Sequence, residues 1–507
     1  MQGWLLGIDQ STQGTKALLL GEDGTILASA ALPHRQIISR TGWVSHDLNE
    51  IYKNVLSVSR KVISSAGVLP AQIIGVALTN QRETTAAWDL SGGHPLSEAV
   101  VWQCSRAAEI CHEIENGSMN DEGSASTKAS LSLQDISRKT GLELSPYYSA
   151  AKMAWLLRQV AVIKGAAEKG ILALGTIDAY LVYRLSGGTV FATDTSNASR
   201  TQLFDLQKLD WDDSLLSLFD IPRAALPEIR AADEGFGQTD LEGILPGPVP
   251  ILASLGDSHA ALFGHGCTEP GDIKVTYGTG SSIVLQTGDT IIRSKSGLST
   301  SVAWTQGGQT KYVLEGNVHY AGAVINWLKS DVSLIKDEAE IEELCRKASS
   351  EDRTYLVPAF TGLGAPWWAS HARASLSGMG RLTGRAEIIR AAVECIAYQI
   401  LDVIKVMRTE TGLPVSCIHA DGGPTANGYL MQFQSDVLNA EIKMSAVTDQ
   451  SAMGTALLAG LKAGLWSIKE IRQIVTTAAI YNPSMAEEER NERLSRWESA
   501  VQKVLLQ

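Results

Sequence analysis

The chain opens with short apolar stretches separated by turns. WLLGID, TKALLL and TILASAAL are rich in apolar residues, and QSTQG and GEDG separate them. Apolar runs bounded by small polar residues and glycine predict three β-strands joined by tight turns. The later stretch IIGVALT predicts another buried strand, which ends in the polar cluster NQRETT.

Several stretches have a helical period instead. Around residues 47–66, Asp47 is a candidate N-cap, and Glu50 three residues on suggests a capping box. Residues 385–412 are apolar on a long helical period and end in a C-cap glycine. The tail AEEERNERLSRWESAVQKVL predicts a charged amphipathic helix. Residues 116–132, rich in Gly, Ser, Asn and Asp, predict a mobile surface loop, with a lid as the alternative.

The opening pattern returns near residue 250. GPVPILASLGD gives a turn and a strand, and DIKVTYGTGSSIVLQTGD gives strand, small hydroxyl-rich turn and strand. CIHADGGPTANGYLMQFQSDVL then predicts a strand, a Gly-Gly turn and a helix. Alternating strands and helices predict an α/β fold. The repetition predicts two related halves, residues 1–253 and 254–507, with a ligand cleft between them.

Composition excludes some classes of function. The 507 residues are 44% hydrophobic and 19% charged, with a net charge of −12. This acidic balance argues against a general nucleic-acid surface or an anionic-membrane binder. No uncharged stretch reaches the roughly 20 residues that span a bilayer, and Asp9 interrupts the only signal-like run. We therefore expect a cytoplasmic protein, with its six scattered cysteines reduced.

The two hairpin turns are candidate phosphate-binding elements. The stretch from Asp9 to Lys16, DQSTQGTK, has neither the glycine spacing nor the Lys-Thr order of a P-loop. Its small residues still allow backbone N–H groups to approach an anion, and Asp9 could organise a hydrated Mg²⁺. The turn from Tyr277 to Ser282 offers the same chemistry from the other half. Either turn alone is best interpreted as a structural hairpin, but the pair predicts a polyphosphate clamp.

Three further polar groups have both structural and functional interpretations. Gly423, in the Gly-Gly turn, and Asn427 suit a flat ligand such as adenine, although a tight strand–helix turn is the better explanation of these residues taken alone. Arg82 and Glu83 suit neighbouring hydroxyl groups, with a surface ion pair as the alternative. Asp257 is a candidate general base for phosphoryl transfer, or a helix N-cap.

Together these residues resemble the FGGY carbohydrate kinases, and within them the glycerol kinases. The resemblance extends over nearly the whole chain, and it is carried by GIDQSTQGTKALLL, GWVSHDLNEIY, ALTNQRETTAAWD, LGTIDAYLVYRL, TYGTGSS, VPAFTGLGAPWW and DGGPTANGYLMQFQSDVL. It implies two ribonuclease-H-like domains of the actin/hexokinase/heat-shock ATPase superfamily, closing on ATP and a small polyol or sugar. A homodimer or homotetramer is compatible with it.

The resemblance also implies residue roles. Asp257 is the catalytic base, and Asp9 organises Mg²⁺ through water. The acceptor site comprises Arg82, Glu83, Tyr147, Asp257, Ser258 and Ser282. The ATP site comprises Thr12, Gln13, Gly14, Lys16, Thr279, Gly280, Gly322, Asn326, Gly423 and Asn427.

The departures from the glycerol kinase pattern concern the acceptor. Ser258 stands where those enzymes have a Gln that reaches glycerol, and Ser282 stands where they have a Phe that packs on its carbons. Losing apolar contact weakens glycerol binding, at about 0.8 kcal/mol per buried CH₂. We therefore expect a larger acceptor, such as a four- or five-carbon polyol or ketose, with glycerol as the alternative. The stretch DLEGILPGPVP lacks the fructose 1,6-bisphosphate motif, so that inhibition is expected to be absent.

An alternative interpretation places the protein in a different functional class. It would be a nucleotide-driven conformational or sensor protein of the same superfamily. The acceptor residues Arg82, Glu83 and Tyr147 argue against it. Sugar-dependent release of ADP separates the two readings.

Overall fold

Two large mixed sheets with a common strand arrangement form the framework. The computed structural model describes residues 3–117 and 131–506, so most of the loop predicted at 116–132 lies outside the described residues. The first large sheet has the strand order Gln238–Thr239, Val249–Gly256, Ile73–Asn80, Trp4–Gln10, Gly14–Gly21, Ile26–Pro33. The second has the order Ser299–Gln306, Gln309–Val318, Ser281–Gly288, Ile273–Tyr277, Cys417–Asp421, Glu441–Ser445, Thr477–Tyr481.

The two sheets repeat one topology. In the first, Trp4–Gln10 pairs antiparallel with Gly14–Gly21 and parallel with Ile73–Asn80. In the second, Ile273–Tyr277 pairs antiparallel with Ser281–Gly288 and parallel with Cys417–Asp421. The repetition predicted from the two hairpins is therefore present as a repeated fold.

Smaller sheets complete the strand structure. A five-stranded sheet in the first half has the order Ile37–Ile38, Val44–His46, Ala99–Val100, Thr85–Asp89, Leu172–Thr176. The two-stranded pairs are Ala192–Asp194 with Glu228–Arg230, Phe204–Asp205 with Asp210–Trp211, and Tyr355–Val357 with Ser375–Ser377.

Helices flank the sheets in both halves. Those before residue 250 are Leu48–Ala66, Ala108–Glu115, Leu133–Thr140, Ser149–Gln159, Ala161–Glu168, Ile177–Leu185, Thr195–Ala198 and Asp213–Leu218. Those after it are Asp257–Gly264, Gly322–Asn326, Glu340–Lys347, Arg385–Thr411, Gly428–Leu438, Gln450–Lys462, Ile468–Ile474 and Glu487–Leu505. No helix among these described residues is long and apolar enough to cross a membrane.

Helix ends follow the sequence with one correction. Asp47 caps Leu48–Ala66 by accepting from the backbone N–H of Asn49. The predicted capping box is wrong, because the Glu50 carboxylate accepts from the backbone N–H of Arg35, 3.1 Å away. The predicted C-cap of Arg385–Thr411 is confirmed: Gly412 has φ of 68°, a conformation that glycine adopts without strain.

A shared core joins the two halves and sets the position of the cleft. Helices Asp257–Gly264 and Gln450–Lys462 pack closely, and a Cβ on Gly264 would lie 3.1 Å from the backbone nitrogen of Gly454. Gln450–Lys462 also packs on strands Trp4–Gln10 and Ile73–Asn80 of the first sheet. The start of Gln450–Lys462 lies beside the first hairpin, because Asp449, its N-cap, pairs with Lys16. The expected division after residue 253 falls inside strand Val249–Gly256, which pairs with the first sheet.

Candidate functional site

The first hairpin turn joins the two strands Trp4–Gln10 and Gly14–Gly21. It is closed by the Ser11 backbone N–H, which donates to the Gly14 carbonyl across 2.9 Å. The Thr12 hydroxyl accepts from Trp102 Nε1 at 2.9 Å, which orients it from the side. Gln13 is exposed, and its carbonyl accepts from the backbone N–H of His34. These residues present a polar turn that the surrounding backbone holds in place.

Lys16, on the strand after this turn, forms an ion pair across the junction. Its Nζ lies 2.5 Å from Asp449 Oδ1, immediately before helix Gln450–Lys462. Burial opposes the charge, but Asp449 raises the pKa of Lys16 above its usual value. The predicted phosphate-binding lysine therefore has a protein partner in this structure.

Asp9, the penultimate residue of the first strand, is a buried carboxylate. Its Oδ1 has no hydrogen-bond partner among the described residues. Burial and the nearby charge of Asp257 raise the pKa of Asp9 to about 7, although Lys16 opposes the shift. An orphaned carboxylate of this kind fits a cation supplied with a ligand, because buried charges are otherwise paired. The described residues contain no cluster of three metal-ligating side chains, so a cation here would complete its shell with water or ligand oxygens.

The second hairpin turn is in close contact with two other segments, which contain Gly322 and Gly422. The backbone N–H of Gly322 donates to the carbonyl of Gly278 across 2.8 Å. A Cβ on Gly280 would overlap the Val318 carbonyl, and one on Gly422 would overlap the Tyr277 carbonyl. Gly422 also has φ of 99°, which only glycine adopts readily. Glycine therefore permits the Gly422–Gly423 turn to contact the second hairpin turn.

A cavity of about 490 Å³ opens beside these turns. Five residues of the predicted ATP site line it: Thr279, Gly322, Asn326, Gly423 and Asn427. Ile325, Val393 and Leu430 supply apolar walls. The Asn427 Oδ1 caps helix Gly428–Leu438 by accepting from Leu430 N at 3.0 Å, so part of its role is structural. The cavity joins apolar walls to small polar side chains, as suits a flat base.

Arg82 lies at the centre of a buried charge network. Its Nη1 and Nη2 donate to the two carboxylate oxygens of Glu315 at 2.7 and 2.8 Å. Burial alone would raise the pKa of Glu315, but Arg82 and Arg200 hold it well below its usual range. The alternative of a surface Arg82–Glu83 ion pair is wrong, because both side chains are buried and bind other partners.

Glu83 is positioned by Arg200. Arg200 Nε donates to Glu83 Oε1 at 2.5 Å, and Arg200 Nη1 lies 3.4 Å from Glu315. The backbone of Glu83 has φ of 60°, a conformation that is uncommon for a residue with a side chain. Non-glycine residues in this region are concentrated at functional sites. Glu83 Oε2 makes no hydrogen bond within the part of the chain that the structure describes.

Aromatic rings surround Tyr147, a residue of the predicted acceptor site. The Tyr147 ring centroid lies 5.4 Å from that of Trp102 and 5.2 Å from that of Tyr148. Buried Lys152 donates to the carbonyl oxygens of Pro146, Tyr147 and Tyr148, which fixes the loop carrying Tyr147. Burial lowers the pKa of Lys152 to about 7.

Asp257 follows directly from strand Val249–Gly256 and begins helix Asp257–Gly264. Its Oδ1 accepts from Ser258 N at 2.6 Å and lies 3.2 Å from Arg82 Nε. Its Oδ2 makes no hydrogen bond to any described residue, and the side chain is 33% exposed. Gly256 is the N-cap, so the helix-cap interpretation of Asp257 is wrong. One oxygen is anchored, and the other is free of hydrogen bonds to the described residues.

Ser258 and Ser282, the two serines that depart from the glycerol kinase pattern, have different surroundings. Ser258 Oγ accepts from Arg82 Nη2 at 3.1 Å, so it is tied to the charge network. Ser282, on strand Ser281–Gly288, is half-buried and its Oγ has no hydrogen-bond partner among the described residues. His259, interpreted as structural, is buried with its Nε2 3.1 Å from Ser301 Oγ.

Sequence reasoning missed four residues of the site: Trp102, Arg200, Glu315 and Asp449. Glu315 carried a usable signal, because a charge inside the apolar strand Gln309–Val318 must have a buried partner. Trp102, Arg200 and Asp449 act across long separations in the chain, and no local pattern marks them.

Two α/β units of the same topology, each with a polar hairpin turn, define a protein of the actin/hexokinase/heat-shock ATPase type. Comparison with family models identifies the class further. Residues 4–264 match the N-terminal domain and residues 273–463 the C-terminal domain of the FGGY family of carbohydrate kinases. The chain belongs to this family of phosphotransferases, whose acceptors are alcohol groups.

Relatives match along the full chain. Glycerol kinase 1 of Thermotoga maritima is 43% identical, over 99% of this chain and 99% of its own. Glycerol kinase of Paraburkholderia phytofirmans is 40% identical, over 98% and 97%. The structure of Plasmodium falciparum glycerol kinase with ADP has a TM-score of 0.92 at 33% identity, covering 100% and 99%. A ligand-bound xylulose kinase from Lactobacillus acidophilus, at TM-score 0.85 and 22% identity over 99% and 97%, shares the fold.

Proposed function

We propose that this protein transfers the γ-phosphoryl group of ATP to a hydroxyl of a small polyol. The observation that carries the proposal is the arrangement of Asp257 beside Arg82, anchored through Oδ1 with Oδ2 free of hydrogen bonds to the described residues. A carboxylate held in this way can accept a proton without turning. The ADP-bound Plasmodium relative supports ATP as the donor.

The residues present fit both nucleotide and magnesium. The cavity at Thr279 and Gly423 suits adenine, and the two hairpin turns suit the phosphates. Asp9, with its orphaned Oδ1, is the residue that would hold Mg²⁺ through water. Bound Mg²⁺ supplies charge neutralisation on the phosphates.

The chain's own residues account for acceptor activation. Arg82 and Glu83 offer a donor and an acceptor to neighbouring hydroxyl groups, and Tyr147 closes one side. The reacting hydroxyl gives its proton to Asp257 Oδ2 as its oxygen bonds to the γ-phosphorus. The bond from phosphorus to the ADP oxygen breaks in the same step. Arg82, 3.2 Å from Oδ1, holds Asp257 in position.

Two acceptors have specific support. Glycerol is favoured by the relatives that are named glycerol kinase and match along the full chain. One of them is 43% identical to this protein. A four- or five-carbon polyol or ketose is favoured by Ser258 and Ser282, which replace larger side chains of the glycerol kinase pattern. The two candidates share the same donor, base and charge network.

A coupled ADP-release assay over three- to six-carbon polyols, ketoses and aldoses tests the proposal. We expect at least one polyol to stimulate ADP release well above the ATPase background. Asp257→Asn should lower kcat by about 10²- to 10⁴-fold, the usual contribution of a general base. Asp213→Asn, at an 85% exposed side chain, is the matched control and should keep full activity. Near-normal turnover by Asp257→Asn would refute the base assignment.

A further inference from the structure

One face of the second sheet carries a row of polar side chains. The strand register places Thr276 opposite both Asp421 and Ser282, and Ser282 opposite Asn317. Directly opposed residues of neighbouring strands point to the same face, about 4.5–5.5 Å apart at Cβ. The four side chains therefore form one continuous row across four strands.

This row lies beside the acceptor site. Asn317 is two residues beyond Glu315 on strand Gln309–Val318, so both side chains are on the same face. Glu315 binds the Arg82 guanidinium in two hydrogen bonds. A step of two residues along a strand is about 6.7 Å. The Ser282–Asn317 end of the row is therefore one short polyol segment away from Arg82.

The Ser282–Asn317 end of the row has unused hydrogen-bonding capacity. Asp421 accepts from His265 at 2.7 Å, and Thr276 Oγ1 accepts from Lys274 Nζ at 2.9 Å. Ser282 Oγ, in contrast, is buried with no partner within residues 3–117 and 131–506. A hydroxyl left in this state costs free energy that a ligand can recover, and one χ1 rotation redirects it.

Asn317 is exposed, and its side chain makes no hydrogen bond to the part of the chain that the structure describes. Its amide offers both donors and an acceptor, and the serine hydroxyl opposite does the same. Neither group carries a charge. This chemistry suits neutral hydroxyl groups better than a carboxylate or a phosphate.

We propose that Ser282 and Asn317 form a distal hydroxyl subsite, which binds the hydroxyl groups of an acceptor that extend beyond Arg82 and Asp257. The inference rests on the proposed polyol kinase function and adds to it a determinant of acceptor length. A chain of four or five carbons places its last hydroxyl groups at this pair, and these make contacts that glycerol lacks.

The test is the ratio of kcat/KM for linear four- and five-carbon polyols to kcat/KM for glycerol. Asn317→Ala should lower this ratio about tenfold, the effect of losing roughly one well-formed hydrogen bond. Ser282→Phe should lower it further, because the ring removes both the hydroxyl and the space. Gln309→Ala changes an exposed residue at the other end of the same strand and should leave the ratio unchanged.

The outcomes separate the subsite from the function. Two results overturn the subsite and leave the kinase proposal standing. In the first, the enzyme phosphorylates glycerol but none of the four- or five-carbon polyols. In the second, the ratio is unchanged in both Asn317→Ala and Ser282→Phe. Absence of ADP release with every polyol overturns the kinase proposal. Calorimetric titration of the ATP-free protein with a five-carbon polyol then tests the subsite directly. Weaker binding to Asn317→Ala than to wild type supports it, and equal affinity refutes it. Asn317→Ser serves if the alanine variant fails to fold.

Discussion

Lys16 Nζ and Asp449 Oδ1 lie 2.5 Å apart, although 433 positions separate the two residues in the chain. Because Lys16 is proposed to bind phosphate, nucleotide must compete with Asp449 for its charge. Asp449→Asn should therefore lower the KM for ATP by about two- to fivefold, the range for a partly exposed ion pair. Steady-state kinetics with varied ATP measures it.

The control for this effect is Asp272→Asn. It removes an ion pair with Arg472 whose side chains have similar exposure, 41% and 23%. The KM for ATP should be unchanged in this variant. A KM that rises in Asp449→Asn would show that Asp449 assists nucleotide binding.

Asp9 should make the stability of the ligand-free protein depend on pH. Its pKa is about 7 in the folded state and near 3.8 in the unfolded chain. As pH rises, Asp9 therefore ionises in the unfolded chain before it ionises in the folded protein. Its contribution to the free energy of unfolding is fully present below pH 4 and is lost as pH rises through 7. The loss is at most about 4 kcal/mol. Asp9→Asn removes it.

Thermal unfolding from pH 5 to pH 8 measures this effect. The Tm of Asp9→Asn should exceed that of wild type by a margin that grows with pH. Asp213→Asn, at an exposed carboxylate, should follow wild type throughout. Parallel curves for wild type and Asp9→Asn would mean that Asp9 is ionised in the folded protein.

Adjacent glycines should respond differently to alanine. A Cβ on Gly422 overlaps the Tyr277 carbonyl, and its φ of 99° adds strain of about 1–3 kcal/mol. Gly422→Ala should therefore lower Tm and weaken ATP binding. A Cβ on Gly423 meets no atom within 4 Å and faces the cavity. Gly423→Ala should keep its Tm and raise only the KM for ATP. Equal Tm values for the two variants would contradict the close contact.

Arg200 should act on the acceptor through Glu83. Arg200→Lys keeps the buried charge but loses the Nε hydrogen bond to Glu83. We expect the KM for the acceptor to rise about tenfold, with smaller changes in kcat and in the KM for ATP. Arg223→Lys, at an exposed arginine paired with Asp210 and Asp213, is the control. A parallel fall in kcat with unchanged acceptor KM would contradict a positioning role.

Local patterns predicted the repeated fold well. The hairpins Trp4–Gln10 with Gly14–Gly21 and Ile273–Tyr277 with Ser281–Gly288 were evident because turn residues and apolar strands are adjacent in sequence. The cavity residues Thr279, Gly322 and Asn427 were also identified in advance, through the family resemblance, and the structure brings them together.

The charge network could not be predicted in the same way. Arg82 binds Glu315, 233 positions away, and Glu83 binds Arg200, 117 positions away. Partner choice for a buried charge depends on which strands become neighbours, and that is a property of the whole fold. The sequence identified Arg82 and Glu83 as important but paired them with each other in the structural alternative.

Asp257 follows directly from a strand of the first sheet, the sheet whose strand Ile73–Asn80 leads into Arg82. The proposed base and the proposed acceptor-binding arginine thus extend from one sheet. Arg82 is also held by Glu315 of the second sheet, through two hydrogen bonds. A shift of the second sheet would therefore pull on the guanidinium that lies 3.2 Å from Asp257, so the position of the proposed base depends on both halves of the protein.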